Sequence, residues 1–274
     1  NDLIAAHNVK KLGFEDMAMS YSEYNSYKQA LNAELVPIGN AVTALRASKE
    51  QWEIERMIKA QRIAEAAFDD VLKIIKPGIT EKEIAAELIY RQHMHGAEGV
   101  SFSPIVVSGV NSSMPHGTPS DKKVEAGDFV TMDFGSKYLG YCSDMTRTVA
   151  VGYATDEMKK IYDIVLEAQL AAIAYEKAGV YGRDVDAVAR KIITDAGYGD
   201  CFGHGFGHSL GIDVHEAPNA NQSETGILPV GACVSAEPGI YIPGKFGVRI
   251  EDVTIMAEDG CENITKAKKD LLIL

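Results

Sequence analysis

The chain has 274 residues, of which 46% are hydrophobic and 24% charged. That is enough apolar material for one large domain or two small ones, and too much for a chain disordered throughout. Against 27 lysines and arginines stand 39 aspartates and glutamates, a formal net charge of −12, which disfavours nucleic acid as a partner. No apolar run reaches the ~18 residues of a membrane span, and the opening NDLIAAHNVKKLGFED lacks the basic, apolar and small-residue series of a secretion signal. A cytoplasmic protein with no membrane partner is the expectation. A first residue of Asn rather than Met points to a processed product or part of a longer protein. The cysteines at 142, 201, 233 and 261 form no CxxC pair and read as reduced core thiols.

In chain order, residues 1–47 carry Tyr21, Tyr24 and Tyr27 at i, i+3 spacing. That pattern predicts a helix whose aromatic stripe packs on this same domain or on something outside it. Ser48 with Gln51 has the form of a capping box, and Trp52, Met57, Ile58, Ile63, Ala67 and Val71 recur at helical spacing until Pro77 and Gly78. A second box, Thr80 with Glu83, opens a helix carrying Ile84, Leu88 and Tyr90 that stops near Gly96. Ser103 to Ser108 reads as a short buried strand. Phe129 to Phe134 and Tyr141 to Val151 read as two strands joined by a turn at Tyr138 to Gly140.

The order then recurs: helices from about Asp156 to Ala178 and Arg183 to Ala196, then strands near Cys233 to Ile242 and Val248 to Met256. AGDFVTMDFG (126–135) aligns with VGACVSAEPG (230–239), which places Asp133 on Glu237 at a shift of 104 positions. The second strand of each hairpin adds an acid, Asp144 in YCSDMTRT and Glu251 in GVRIEDVT. Two related halves with joined sheets would bring the four carboxylates together. Gathered among apolar strand residues, they would repel one another and raise their own pKa values unless cations sat between them. Two divalent ions balance the charge, and oxygen donors with one imidazole suit manganese, iron, cobalt or zinc. The competing reading is that some of these acids pair with Arg147 or Arg249.

Four of the seven histidines fall in two segments, NSSMPHGTP with His116 and FGHGFGHSLGIDVHEAP with His204, His208 and His215. The glycines of the second segment let backbone approach a ligand. His7, His93 and His95 read as ordinary core or surface residues. Gly207 to Gly211 also matches the GxSxG nucleophile elbow, but the only histidine after Ser209 is His215, six residues on and too close to return as a base.

These blocks, with SGVNSSMPHGTP, GDFVTMDFGSKYLGYCSDMTRTVAVG and SAEPGIYIPGKFGVRIEDV in the same order, resemble the metallopeptidase family that includes methionine aminopeptidase, aminopeptidase P and prolidase. The match runs from about residue 49 to the end. The resemblance implies an α+β pita-bread fold of two pseudo-symmetric halves around a curved antiparallel sheet. By the same resemblance Asp133 would chelate one metal, His208 and Glu237 the other, and Asp144 and Glu251 would bridge both; manganese is the first expectation. Glu237 would also carry the proton between water and leaving amine, while His116 and His215 would hydrogen-bond substrate and intermediate.

His204 four residues before His208, the EPGIY block and Arg249 two residues before Glu251 are similar to the proline-specific branch, where His204 and Arg249 would line the substrate site. The resemblance therefore implies a catalytic domain at 48–274 preceded at 1–47 by the tail of an N-terminal domain, and a homodimer when full length. The expected activity is hydrolysis of the Xaa-Pro bond at the N-terminus of dipeptides or short peptides. The alternatives are methionine aminopeptidase and a catalytically silent binding module.

Overall fold

In a computed structural model of Asn1–Leu274 the chain divides into two compact units, Asn1–Arg46 and Ala47–Leu274. The first contains helix α1 (Asp2–Ala6), strand β1 (Lys11–Phe14), helix α2 (Tyr21–Ala30) and strand β2 (Glu34–Pro37), with β1 and β2 paired in parallel. The tyrosine stripe is helical because Ser20 and Glu23 exchange the two hydrogen bonds of a capping box. Its rings part ways: Tyr24 packs on Phe14 with centroids 5.2 Å apart, whereas Tyr21 is 80% exposed.

The second unit opens with α3 (Gln51–Val71) and α4 (Glu81–Met94), followed by β3 (Gly99–Val100), β4 (Ile105–Ser108), β5 (Phe129–Phe134), β6 (Ser136–Tyr138), β7 (Tyr141–Cys142) and β8 (Met145–Ala150). Next come α5 (Asp156–Tyr175), α6 (Gly182–Asp195), β9 (Gly207–Ser209), β10 (Glu216–Ala220) and β11 (Cys233–Ala236). The chain closes with β12 (Gly239–Ile242), β13 (Phe246–Arg249), β14 (Asp252–Ala257) and β15 (Gly260–Asn263). The Thr80–Glu83 box caps α4 as expected. The cap of α3 differs from expectation: the Ser48 hydroxyl donates to the Val230 carbonyl at 2.6 Å, and Glu50 with Glu53 forms the box instead. A tertiary partner far along the chain has drawn the serine away from the helix end.

Helix, helix and hairpin do occur twice. One sheet, in the order β4-β5-β8, packs Val130, Met132 and Phe134 against Phe68 of α3 and Ile84 and Leu88 of α4. The other, in the order β10-β9-β11-β14-β15, packs Val234 and Ala236 against Val165 and Ala168 of α5 and Val185 and Ala189 of α6. The halves meet along β8, where the Glu251 amide donates to the Thr146 carbonyl at 3.1 Å and the Thr148 hydroxyl to the Arg249 carbonyl at 3.0 Å. The result is the expected α+β arrangement of two related halves.

Three of the long strands read from sequence are interrupted, each at an acid. Tyr141 to Val151 breaks at Ser143 and Asp144, Cys233 to Ile242 breaks at Glu237 and Pro238, and Ile250 and Glu251 separate β13 from β14. Pro238 lacks a ladder donor. Around Asp144 the chain is forced off the ladder by close crossing, since a Cβ on Gly135 would lie 1.8 Å from the Ser143 carbonyl oxygen.

Candidate active site

Asp133 sits one residue from the end of β5, Asp144 just before β8, Glu237 just after β11 and Glu251 just before β14. All four are thus held by paired backbone on at least one side. A cavity of about 340 Å³ is lined by these four together with His116, His204, His208, His215 and Arg249. The nine residues singled out in the sequence are therefore brought to one place. The three histidines set aside lie elsewhere: His93 contacts the Ala97 carbonyl, His95 contacts Asp70, and His7 ends α1.

Crowding of buried acids has the expected electrostatic effect. Burial, then the charges of Glu251 and Asp133, pushes the Asp144 carboxyl well above the ordinary carboxylate range. Burial, then Glu237 and Asp133, does the same to Glu251. Burial raises Glu237 to about 7, with Arg249 opposing the shift. The ion-pair alternative is realised for one acid, because Arg249 Nη2 donates to Asp133 Oδ2 at 2.6 Å. Arg147 instead pairs with Asp252 at 2.8 Å.

Whether the donor set fits divalent cations can be judged from atoms left without partners. Asp133 Oδ1, Asp144 Oδ1 and Glu251 Oε1 are buried and accept no hydrogen bond, a costly state for carboxylate oxygens unless a cation or proton lies between them. His208 Nδ1 faces the Ser209 carbonyl at 3.1 Å, so its proton belongs there and the Nε2 lone pair points at the acids. Nε2 lies 3.3 Å from Glu237 Oε1 and 3.7 Å from Asp144 Oδ2, and burial holds the ring neutral by lowering its pKa. Donor atoms of Asp144, His208 and Glu251 fall within 4.8 Å of one another. A lone pair and several unpartnered oxygens converge where the chain supplies a single cation, Arg249, against four acids, and that donor set fits metal binding.

The glycine-rich segment is clamped from α6. Asp186 accepts the Phe206 amide at 2.9 Å and the Arg190 guanidinium at 2.7 and 2.8 Å. Arg190 in turn donates to the carbonyls of Phe202 at 2.9 Å and His204 at 2.7 Å. Gly207 permits the close approach of β9 to β11, since a Cβ there would lie 1.8 Å from the Ser235 carbonyl oxygen. The loop bearing His215 is held by Glu216, which accepts the amides of Ile212 and Asp213 at 3.0 and 3.1 Å and pairs with Lys49 at 3.0 Å. The rings of His215 and His208 lie 4.3 Å apart.

Sequence reasoning passed over Tyr241, although it lies inside the EPGIY block. Its buried hydroxyl takes a hydrogen bond from Arg249 Nη1 at 2.7 Å and meets His204 Nε2 at 2.8 Å. His204 Nδ1 faces the Gly205 carbonyl at 2.8 Å, and burial together with Arg249 lowers the ring to about 3, so it is neutral. Two hydroxyls were missed as well: Ser235 donates to Glu237 Oε1 at 3.0 Å and Thr146 to Glu251 Oε2 at 2.7 Å. Ser209 is no nucleophile, because its buried hydroxyl donates to the Pro218 carbonyl at 2.6 Å.

Residues 55–258 match the model of metallopeptidase family M24, and residues 1–48 match the creatinase/prolidase N-terminal domain. The chain is 41% identical to the Xaa-Pro dipeptidase of Pyrococcus furiosus, with 97% of this chain and 76% of that protein covered. Among solved structures it superposes on an Xaa-Pro dipeptidase from Bacillus anthracis with a TM-score of 0.98 and 47% identity, covering 100% of this chain and 77% of that one. An X-Pro aminopeptidase from Thermotoga maritima gives a TM-score of 0.96 at 41% identity, covering 100% of this chain and 78% of that one. With the matched region spanning most of the second unit and both halves of the site, the chain belongs to metallopeptidase family M24.

Proposed function

We propose that the chain is a dinuclear metal-dependent exopeptidase that hydrolyses the Xaa-Pro bond at the N-terminus of dipeptides or short peptides. The observation that carries this reading is the convergence of the acids, His208 and the His204–Tyr241–Arg249 cluster on one cavity of about 340 Å³, a size suited to a small peptide. Asp133, Asp144, His208, Glu237 and Glu251 are the residues that would hold the metal ions. An oxygen-rich set with one imidazole suits manganese first, and cobalt, iron or zinc also fit. Bound ions would supply Lewis acidity at the scissile carbonyl and an activated water.

The remaining work falls to the chain's own groups. Glu237, its carboxylate oriented by the Ser235 hydroxyl, is the proposed carrier of a proton from water to the leaving amine. His215, kept neutral by burial, and His116 are the proposed donors to the substrate carbonyl and the oxyanion that develops from it. His204, uncharged and tied to Tyr241, offers a flat wall, and Phe102, Ile105 and Val214 add apolar surface. Such a lining suits an imide nitrogen with no N–H to satisfy. Arg249 supplies positive charge on the same side.

Residues 48–274 are proposed as the catalytic domain, and 1–47 as part of an N-terminal domain of the kind their match describes. A homodimer and a cytoplasmic setting complete the proposal; no helix is long and apolar enough to cross a membrane. Relatives described as Xaa-Pro dipeptidase and X-Pro aminopeptidase weigh against the methionine aminopeptidase alternative, and the intact donor set weighs against a silent binding module. The test is manganese-dependent hydrolysis of Ala-Pro, Ala-Pro-Ala and Met-Ala-Ser side by side. Cleavage of either proline substrate is expected, the preference between them separating dipeptidase from aminopeptidase. Release of methionine alone would overturn the reading.

A further inference from the structure

Glu81, the first residue of α4, is 0% exposed and faces no cation. Its carboxylate instead gathers neutral donors from one stretch of chain. The amide and hydroxyl of Ser108 reach Oε1 at 2.6 and 2.9 Å, and the Asn111 side chain reaches it at 3.1 Å. Ser120 brings its amide and hydroxyl to Oε2 at 3.0 and 2.6 Å. Both ends of the 108–120 segment are thus tied to a single side chain, and His116 lies between them.

That segment has little else to define its path. After β4 it makes a short 3-10 turn (Gly109–Ser113) and then runs to Ser120 without pairing in any sheet. Its ends have further contacts, since Ser108 pairs with Val130 and accepts from Lys122 Nζ at 3.1 Å and the Ser120 carbonyl accepts the Lys82 amide at 3.2 Å. Between them the Ser112 hydroxyl accepts the Gly247 amide at 2.8 Å and the Pro115 carbonyl accepts from Arg249 at 3.2 Å. Hydrogen bonds to a charged acceptor are about twice as strong as neutral ones, and burial strengthens them further. The other half uses the same device: Asp186 of α6, also 0% exposed, holds the Phe206 amide and, through Arg190, the His204 carbonyl.

We propose that Glu81 is the positioning residue for His116, fixing where that imidazole meets the substrate. The inference rests on the reading that His116 contacts substrate, and makes Glu81 matter to turnover although it touches neither substrate nor metal. Glu81→Gln keeps the shape but turns one acceptor into an amide facing the donors it formerly bound, loosening the path of the segment between its ends. Misplacement of a group that acts on the transition state lowers kcat more than it changes KM.

The experiment is a double-mutant cycle with His116→Ala, read as kcat and KM on Ala-Pro in manganese-loaded protein, with metal content counted in each variant. Ser120→Ala serves as a second, milder perturbation should Glu81→Gln fail to fold. Glu81→Gln is expected to keep its metal and lose about tenfold or more in kcat. In the His116→Ala background it should cost less than about twofold, because the group it places is already gone. Equal losses in both backgrounds, or unchanged kcat in folded, metal-loaded protein, would overturn the inference while leaving the proposed activity standing. Should His116→Ala itself leave kcat untouched, the role given to His116 fails and the inference with it.

Discussion

Glu176 offers a prediction whose size follows from its surroundings. It caps α5, is 1% exposed, and has one oxygen, Oε1, with no hydrogen-bond partner. The other, Oε2, lies 2.7 Å from the Thr254 hydroxyl, which also lies 3.2 Å from the Val234 carbonyl. One hydroxyl proton cannot serve both acceptors, so a proton on the carboxyl satisfies the pair. In agreement, burial raises Glu176 to about 8, against the opposing hydrogen bonds from Thr254 and Cys261. The folded protein therefore holds a proton that the unfolded chain releases near 4.5. Its contribution to stability is complete below that value and is lost as pH rises through about 8.

The loss accrues at about 1.4 kcal/mol per pH unit, or about 4 kcal/mol at most between pH 5 and pH 8. Glu176→Gln keeps the shape and cannot titrate. Urea unfolding of both proteins across pH 5 to 8 isolates the effect, because titrating groups out of reach of Glu176 cancel in the difference, and its one thiol neighbour, Cys261, is held protonated there by a pKa raised to about 12. The Gln variant should gain on the parent steadily up to about pH 8. Parallel curves, or a parent that gains on the variant as pH rises, would refute a protonated Glu176.

Tyr241→Phe removes the hydroxyl between His204 and Arg249. Two buried polar groups are left short of a partner, at about 1–3 kcal/mol, so kcat/KM on Ala-Pro should fall about tenfold or more with metal content intact. Loss of metal in that variant would mean that the tyrosine supports the acids rather than the substrate. Gly207→Ala drives a methyl into the Ser235 carbonyl and should cost about 1–3 kcal/mol or more, read as a lowered Tm with weakened metal binding through the neighbouring His208. His208→Ala should lose one ion and nearly all turnover while the fold survives, since its ring lines the cavity rather than filling space between helix and sheet. Metal analysis with circular dichroism checks it, and normal activity there would contradict the assignment.

What could be read from the sequence was whatever repeats or alternates. The shift relating Asp133 to Glu237 announced two halves, and apolar flanks placed each acid on a strand. Hidden were the features created by residues distant in sequence. Ser48 carries a sound local capping signal, yet Val230 claims its hydroxyl. Asp133 and Arg249, more than a hundred positions apart, meet as an ion pair that pattern allowed without specifying. Glu81 looks like an ordinary first-turn acid, favourable to any helix, and only the packed structure reveals the serines gathered on it. The strand breaks at Asp144, Glu237 and Glu251 escaped notice because the neighbouring residues keep their strand character. The break at Asp144 lies beside the close approach of Gly135 to Ser143 within one half, and the break at Glu237 falls at Pro238.

The central claim is that two divalent ions held by these five residues drive cleavage before proline. The most direct test is the rate of Ala-Pro hydrolysis by metal-stripped protein as manganese is added in known ratio to chain. The account predicts no turnover at the start and a rise that levels off at about two ions per chain. Full activity without metal, or two bound ions with no cleavage of Ala-Pro or Ala-Pro-Ala, would contradict it.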